Sequence, residues 1–158
     1  MFKIGDKVVY PMHGAGIIEG IEEKEILGEK KQYYILSLPI KNMKVMLPVS
    51  NIEGLGLREV IEPSEVDYVI QVLSDEQSEM HSNWNRRYRD NMEKVKSGDI
   101  IEVAMVVRNL LILDKEKGLS TGERKMLTNT KQILVSELIL ARGLNEVEVE
   151  RLIKDAIA

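Results

Sequence analysis

The segment NWNRRYRDNMEKVKSGD, residues 83–99, holds the single tryptophan of the chain, with Arg86, Arg87 and Arg89 within five residues of it. A flat apolar ring flanked by guanidinium groups suits nucleic acid. Arginines hold phosphates, and an aromatic ring wedges at a base step most cheaply where the duplex is already distorted. Over 84–96, Arg86, Arg87, Arg89, Lys94 and Lys96 stand against Asp90 and Glu93, a local charge of +3. The whole chain carries −4, so the remainder carries −7. Phosphate binding responds to nearby charge rather than to the net value. Two placements of Trp84 stay open at this level. Tyr88, Met92 and Val95 share a helical stripe that faces a core, and Trp84 either tops that stripe or lies exposed at the helix N-terminus beside the arginines. The arginines in turn either hold phosphates or form a solvated face paired with Asp90 and Glu93.

Little else in the chain assembles a catalytic set. The chain has no cysteine, which excludes thiolate ligands, disulfides and a cysteine nucleophile. His13 and His81 are far apart, and neither has a metal-ligand partner at helical or hairpin spacing. His13 reads as a polar turn residue in PMHGAG. The glycines beside it resemble a phosphate-cradling loop only weakly, since no lysine–serine/threonine pair follows and the next segment is strand-like. The many carboxylates, Glu22, Glu23 and Glu25 among them, read as solvated surface. No catalytic residue, metal or cofactor is expected, and the chain is expected not to be an enzyme.

The elements that must position this segment divide into two kinds. Residues 1–62 hold most of the glycines and three of the four prolines. Their apolar runs are short: 8–11, 14–23, 33–38 and 43–48 read as strands, with Met43, Val45 and Leu47 alternating against Lys44 and Met46. The polar stretches 27–32 and 39–42 read as hairpin turns, and 51–59 as a further short strand or turn. The sum is a small, bent antiparallel sheet of about five strands, a half-open barrel.

From Pro63 the apolar period becomes helical. Ser64 reads as a cap ahead of Val66, Val69, Ile70 and Leu73, and Ser74 as the start of a helix over about 76–96. Residues 97–99 cap a helix with Ile100, Val103, Ala104, Val107 and Leu111 on one stripe. Gly118 ends it, and Ser120 with Glu123 forms a capping box for a helix over 121–142 that turns Leu127, Leu134, Leu138 and Ala141 inward. Gly143 stops that helix. Asn145 caps a last one carrying Val149, Leu152, Ile153 and Ala156. The fold class is therefore α+β: a sheet part over 1–62 and a bundle of about five helices over 63–158, with a joint near Glu62–Pro63 that lets the two parts move.

At 158 residues, with 44% hydrophobic composition, the chain has enough apolar matter for a real core. No apolar run approaches 18 residues, and the N-terminus lacks the apolar stretch of a signal peptide, so a cytoplasmic location without membrane contact is expected. A net charge of −4 excludes an autonomous, high-affinity DNA binder and leaves one that is delivered by a tether.

The chain resembles the CarD/CdnL family of bacterial transcription regulators from end to end. The segments that carry the resemblance are GDKVVYPMHGAGIIEGIE at 5–22, NWNRRYRDNMEKVKSGD at 83–99, and 103–141 with its GLSTGERKML block. The resemblance implies a Tudor-like N-terminal domain, also seen in the transcription-repair coupling helicase, that binds the RNA polymerase β subunit by strand pairing. It also implies a helical domain contacting promoter DNA at the upstream edge of the minus-ten element. There Trp84 would insert from the minor groove at the bubble fork, with Arg86, Arg87, Arg89 and Lys94 on the backbone, stabilising the open complex. Such a protein associates with the nucleoid through the polymerase. The polymerase-facing residues implied are Lys24, Lys44, Val45, Met46 and Leu47. Met46 stands where the family often has a basic residue, so strand pairing is expected to carry more of that contact; Arg89 replaces a frequent lysine and keeps its charge. A protein–protein adaptor without a DNA role, using the sheet edge, is the alternative. The open edge also permits a homodimer by pairing or swapping.

Overall fold

The computed structural model describes residues 2–157. Five strands come first: β1 (Lys7–Tyr10), β2 (Gly14–Ile26), β3 (Glu29–Leu38), β4 (Met43–Pro48) and β5 (Arg58–Glu59). They form one antiparallel sheet in the order β4-β3-β2-β1-β5, so β4 is the long edge strand. Alternation places Val8, Ile18, Tyr34, Leu36, Leu38 and Leu47 on the inner face, where they form the sheet's own apolar cluster.

The β2–β3 hairpin is longer than its sequence implied. The turn is only Leu27-Gly28, both with positive φ (54° and 81°), and Glu29 already pairs with Ile26. Residues 29–32 look loop-like because the hairpin projects beyond the core and all of 21–32 is exposed, so both faces of both strands are solvated. The segment 39–42 is a turn, a 3-10 helix over Pro39–Lys41 closed by a left-handed Asn42.

Five helices follow: α1 (Val66–Leu73), α2 (Trp84–Lys96), α3 (Ile100–Glu116), α4 (Thr121–Arg142) and α5 (Glu146–Ile157). Asp99, Ser120 and Gly143 cap as the sequence implied, and Ser120 with Glu123 closes its capping box. Two boundaries differ. The cap before α1 is Glu62, in a reciprocal box with Glu65 around a 3-10 turn at Pro63–Glu65, because proline belongs at the first helical position and so places the cap at the residue before it, two residues earlier than Ser64. Helix α2 begins at Trp84, not near residue 76. Residues 75–83 instead give their polar groups to α3: the Ser78 N–H donates to Asn109 Oδ1 (3.0 Å), and Arg108 donates to Ser78 Oγ (2.6 Å).

The helical core runs through Leu73, Val95, Val107, Leu110, Leu134, Leu138 and Ile153. Met12, Ile40, Val60 and Ile61 pack against it from the sheet part, so the two parts are fastened rather than loosely jointed. The Ala15 N–H donates to the buried Ser136 Oγ of α4 (2.8 Å). Gly14, at φ 114°, allows that approach; a Cβ there would lie 3.0 Å from the same oxygen.

Candidate nucleic-acid and polymerase interfaces

The first turn of α2 is built from its cap outward. Asn83 is extended, and its Oδ1 accepts from the backbone N–H groups of Asn85 and Arg86. This starts the helix at Trp84. Val95 is buried, Met92 and Tyr88 are half-buried, and Trp84 is 51% exposed. The stripe thus rises out of the core along its length, and the tryptophan is not its top layer. The first turn has no acidic residue, so the positive end of the helix dipole adds to Arg86 and Arg89, both exposed. Arg86 makes only a long contact with Asp90 (3.9 Å) at 62% side-chain exposure.

Arg87 departs from its neighbours. Its Nε and Nη2 donate to the two carboxylate oxygens of Glu123 at 2.6 and 2.8 Å, and Nη1 donates to the carbonyls of His81 and Ser82. At 14% exposure, with its fork fully engaged, it is not placed to hold a phosphate. Arg87 Nε and Nη2 hold Glu123 deprotonated, with its carboxyl below the ordinary range, and the Arg87 guanidinium is held above its own. The pair fastens the tryptophan-bearing turn to the start of α4. Lys94 lies ten residues from Trp84, about 15 Å along the helix axis, and is half-buried near the other end of α2.

Sequence inspection missed a second support. Arg108, buried within the apolar face of α3, bonds to the Val72 carbonyl (2.9 Å), Ser78 Oγ and Asn109 Oδ1 with no carboxylate partner among the described residues. It holds down the segment that leads into Asn83. An arginine inside an apolar helical stripe is the signal that marks it.

On the sheet, β4 presents its outer edge unpaired among the described residues. Met43 and Met46 (42% exposed) are open, Val45 is half-buried, and Lys44 Nζ lies 3.0 Å from Glu19. The Leu47 side chain, 3% exposed, belongs to the sheet core, so Leu47 offers a partner only its backbone. Lys24 is out on the projecting hairpin, beside Glu22 at 3.4 Å. The structure therefore brings Lys44, Val45 and Met46 to one edge and leaves Lys24 apart from them.

His13 stacks on Tyr10 with ring centroids 4.3 Å apart, and its pKa is lowered by partial burial and then by Lys41. Gly14–Gly16, which resemble a phosphate-cradling loop only weakly in sequence, are strand residues paired with Val8–Tyr10. Among the described residues, no three His, Asp or Glu side chains come together to hold a metal, and no helix is long and apolar enough to cross a membrane.

Fold and surface define a two-faced binding protein, with a free strand edge on a small sheet and an exposed tryptophan among arginines on a helical bundle fastened to it. Residues 2–61 match the CarD-like/TRCF RID domain family, and residues 68–154 match the CarD C-terminal domain family. The chain is similar to the Bacillus subtilis protein named "Putative transcription factor YdeB", with 45% identity over 150 residues, covering 95% of this chain and 98% of the relative. Among solved structures it is similar to CdnLNt from Myxococcus xanthus (41% identity, 39% of this chain and 86% of that one, TM-score 0.34). It is also similar to the 72-residue N-terminal domain of Myxococcus xanthus CarD (29% identity, 37% and 79%, TM-score 0.33). The chain belongs to the CarD family. It is an RNA-polymerase-interacting transcription factor and not an enzyme.

Proposed function

We propose that residues 1–62 dock on the RNA polymerase β subunit through the β4 edge, and that residues 63–158 place Trp84 as a wedge at the upstream fork of the promoter bubble. The carrying observation is the half-exposed Trp84 at a helix N-terminus with exposed Arg86 and Arg89 beside it. The indole enters from the minor groove near the minus-ten element, where unstacking is already under way, and Arg86 and Arg89 hold the flanking phosphates. Lys94 reaches backbone further along the duplex. Arg87 serves this site by fixing the helix rather than by touching DNA. On the polymerase side, β4 supplies main-chain hydrogen bonds, Met43 and Met46 apolar contact, and Lys44 and Lys24 charge. A second copy of the chain would use the same edge, so dimerisation and polymerase binding compete.

The tether removes the need for strong free DNA affinity, which fits an acidic chain with one small basic patch. A wedge that binds unstacked DNA better than duplex shifts the closed–open equilibrium by that difference and no more. The test is a Trp84→Ala chain in an open-complex lifetime assay with saturating polymerase. The lifetime should fall to the value without factor while β-subunit binding is retained. A folded Trp84→Ala protein that prolongs the open complex like wild type overturns the wedge. Binding to forked DNA that does not vary with salt favours a protein–protein adaptor instead.

A further inference from the structure

We propose that α4 is a rigid strut that fixes the distance between the polymerase-binding edge and Trp84, and that Glu137 and Arg58 are the positioning pair at its sheet end. The inference rests on the function proposed above and adds the requirement that the two faces be held at one spacing.

Helix α4 carries two buried glutamates, Glu123 in its first turn and Glu137 near its last. Each pairs with an arginine, one from the tryptophan-bearing helix and one from β5, the sheet edge opposite β4. Glu123 takes the bidentate Arg87 fork, three residues from Trp84. Glu137 takes both ends of the Arg58 fork from β5 at 2.7 Å each, and its Oε2 also accepts the Ile61 N–H at 3.0 Å. Arg58 Nε donates in addition to the Gly98 carbonyl at the turn between α2 and α3 (2.9 Å), so one side chain ties β5, α4 and the end of α2. One residue before Glu137, Ser136 accepts the Ala15 N–H of β2 while donating to the Ile133 carbonyl.

Fourteen residues separate the two glutamates. That is close to four helical turns, about 21 Å of axis, so both project from nearly the same side of α4. An uninterrupted helix does not bend by an amount comparable to that length. Hydrophobic contact alone lets surfaces slide, because it is non-directional. Bidentate pairs do not, since two parallel N–H···O bonds specify orientation as well as distance. A wedge must meet one base step of a complex whose polymerase end is already anchored. A matched spacing raises the effective concentration of Trp84 at the fork, and a loose joint dilutes it.

The experiment uses the full chain with Glu137→Gln. In a parallel pair of proteins, Met43→Cys on β4 and Asn85→Cys carry spin labels, made selective by the absence of native cysteine. Wild type should give one narrow label–label distance and Glu137→Gln a broadened one. Open-complex lifetime should drop about tenfold, as expected for lost effective concentration, with β-subunit binding and free forked-DNA binding unchanged. A third protein adds an Ala15→Cys/Ser136→Cys disulfide to Glu137→Gln. It should regain the lifetime when oxidised and lose it on reduction. A distance distribution in Glu137→Gln as narrow as wild type overturns the strut, as does full lifetime despite broadening, or a formed disulfide that restores nothing. If wild type itself fails to prolong the open complex, the proposed function is what fails, and the distance measurement still decides the strut.

Discussion

Three arginines in four residues look interchangeable, and Arg87→Ala tests whether they are. The substitution removes both bonds to the Glu123 carboxylate, at 2.6 and 2.8 Å, and leaves that buried group with only Ser120 beside it. Breaking a buried pair from one side costs about 3–5 kcal/mol, mostly the penalty of the stranded charge. For a chain of this size that corresponds to a Tm lower by roughly 6–20 °C. Arg86→Ala and Arg89→Ala, on exposed side chains, should stay within about 0.5 kcal/mol of wild type. Replacing both partners with apolar residues, Arg87→Met with Glu123→Leu, should recover most of the loss, and the cycle isolates the coupling. The effect also has a pH signature. Glu123 titrates below its unfolded value, held there chiefly by Arg87. Its contribution is therefore complete above the unfolded glutamate pKa of about 4.3 and disappears as pH falls through the lower folded value. The gap between wild type and Arg87→Ala should be full at pH 7 and close on acidification. Urea and thermal unfolding followed by far-ultraviolet circular dichroism measure all of this. An Arg87→Ala protein as stable as wild type, with weakened binding to forked DNA, would show that Arg87 is a phosphate ligand and refute the argument.

The exposed arginines carry the complementary expectation. Arg86→Ala with Arg89→Ala should lower the slope of log affinity against log salt for forked DNA by about 1.4–1.8, measured by fluorescence titration. On the sheet, Leu47→Ala should destabilise the fold by about 2–5 kcal/mol, because the side chain is core. Met46→Ala should leave stability near wild type and weaken β-subunit binding, and a pull-down with thermal melts separates the two. Gly16→Ala should destabilise by about 1–3 kcal/mol through overpacking, because its Cβ would run into the Ser37 carbonyl oxygen; retained stability there would show that the strands can part.

Much of the fold was readable without coordinates where local chemistry decides. The strand runs at 8–11, 14–23 and 43–48, the Ser120–Glu123 box and the Gly143 stop all depend on neighbours within a few residues; the last three stand where the sequence puts them, and the first two strands fall within one and three residues of it, at 7–10 and 14–26. Errors came where distant groups compete for the same atoms. Residues 75–83 have polar side chains that tolerate a helix, but Arg108 and Asn109, some thirty residues on, take their hydrogen bonds. The β2–β3 turn is shorter than its sequence implies, because charge at 29–32 marks solvation, not loop. In the site, Trp84 was found from composition, but its exposure was not decidable: the 3.6-residue period continues through it as if it were core.

What the sequence determined by itself is the inventory: an acidic chain with one basic, tryptophan-bearing segment, an edge-forming β run at 43–48, and helices whose caps announce them. Only the tertiary structure decided which charges are free. Arg86, Arg87 and Arg89 are chemically the same residue, yet Arg87 alone meets a buried carboxylate 36 positions away. The same holds for Arg58 and Glu137, 79 positions apart, which turn an expected joint into a fastening. Such pairs depend on where separate elements pack, because an ion pair acts over a few ångströms and has no periodicity along the chain to betray it.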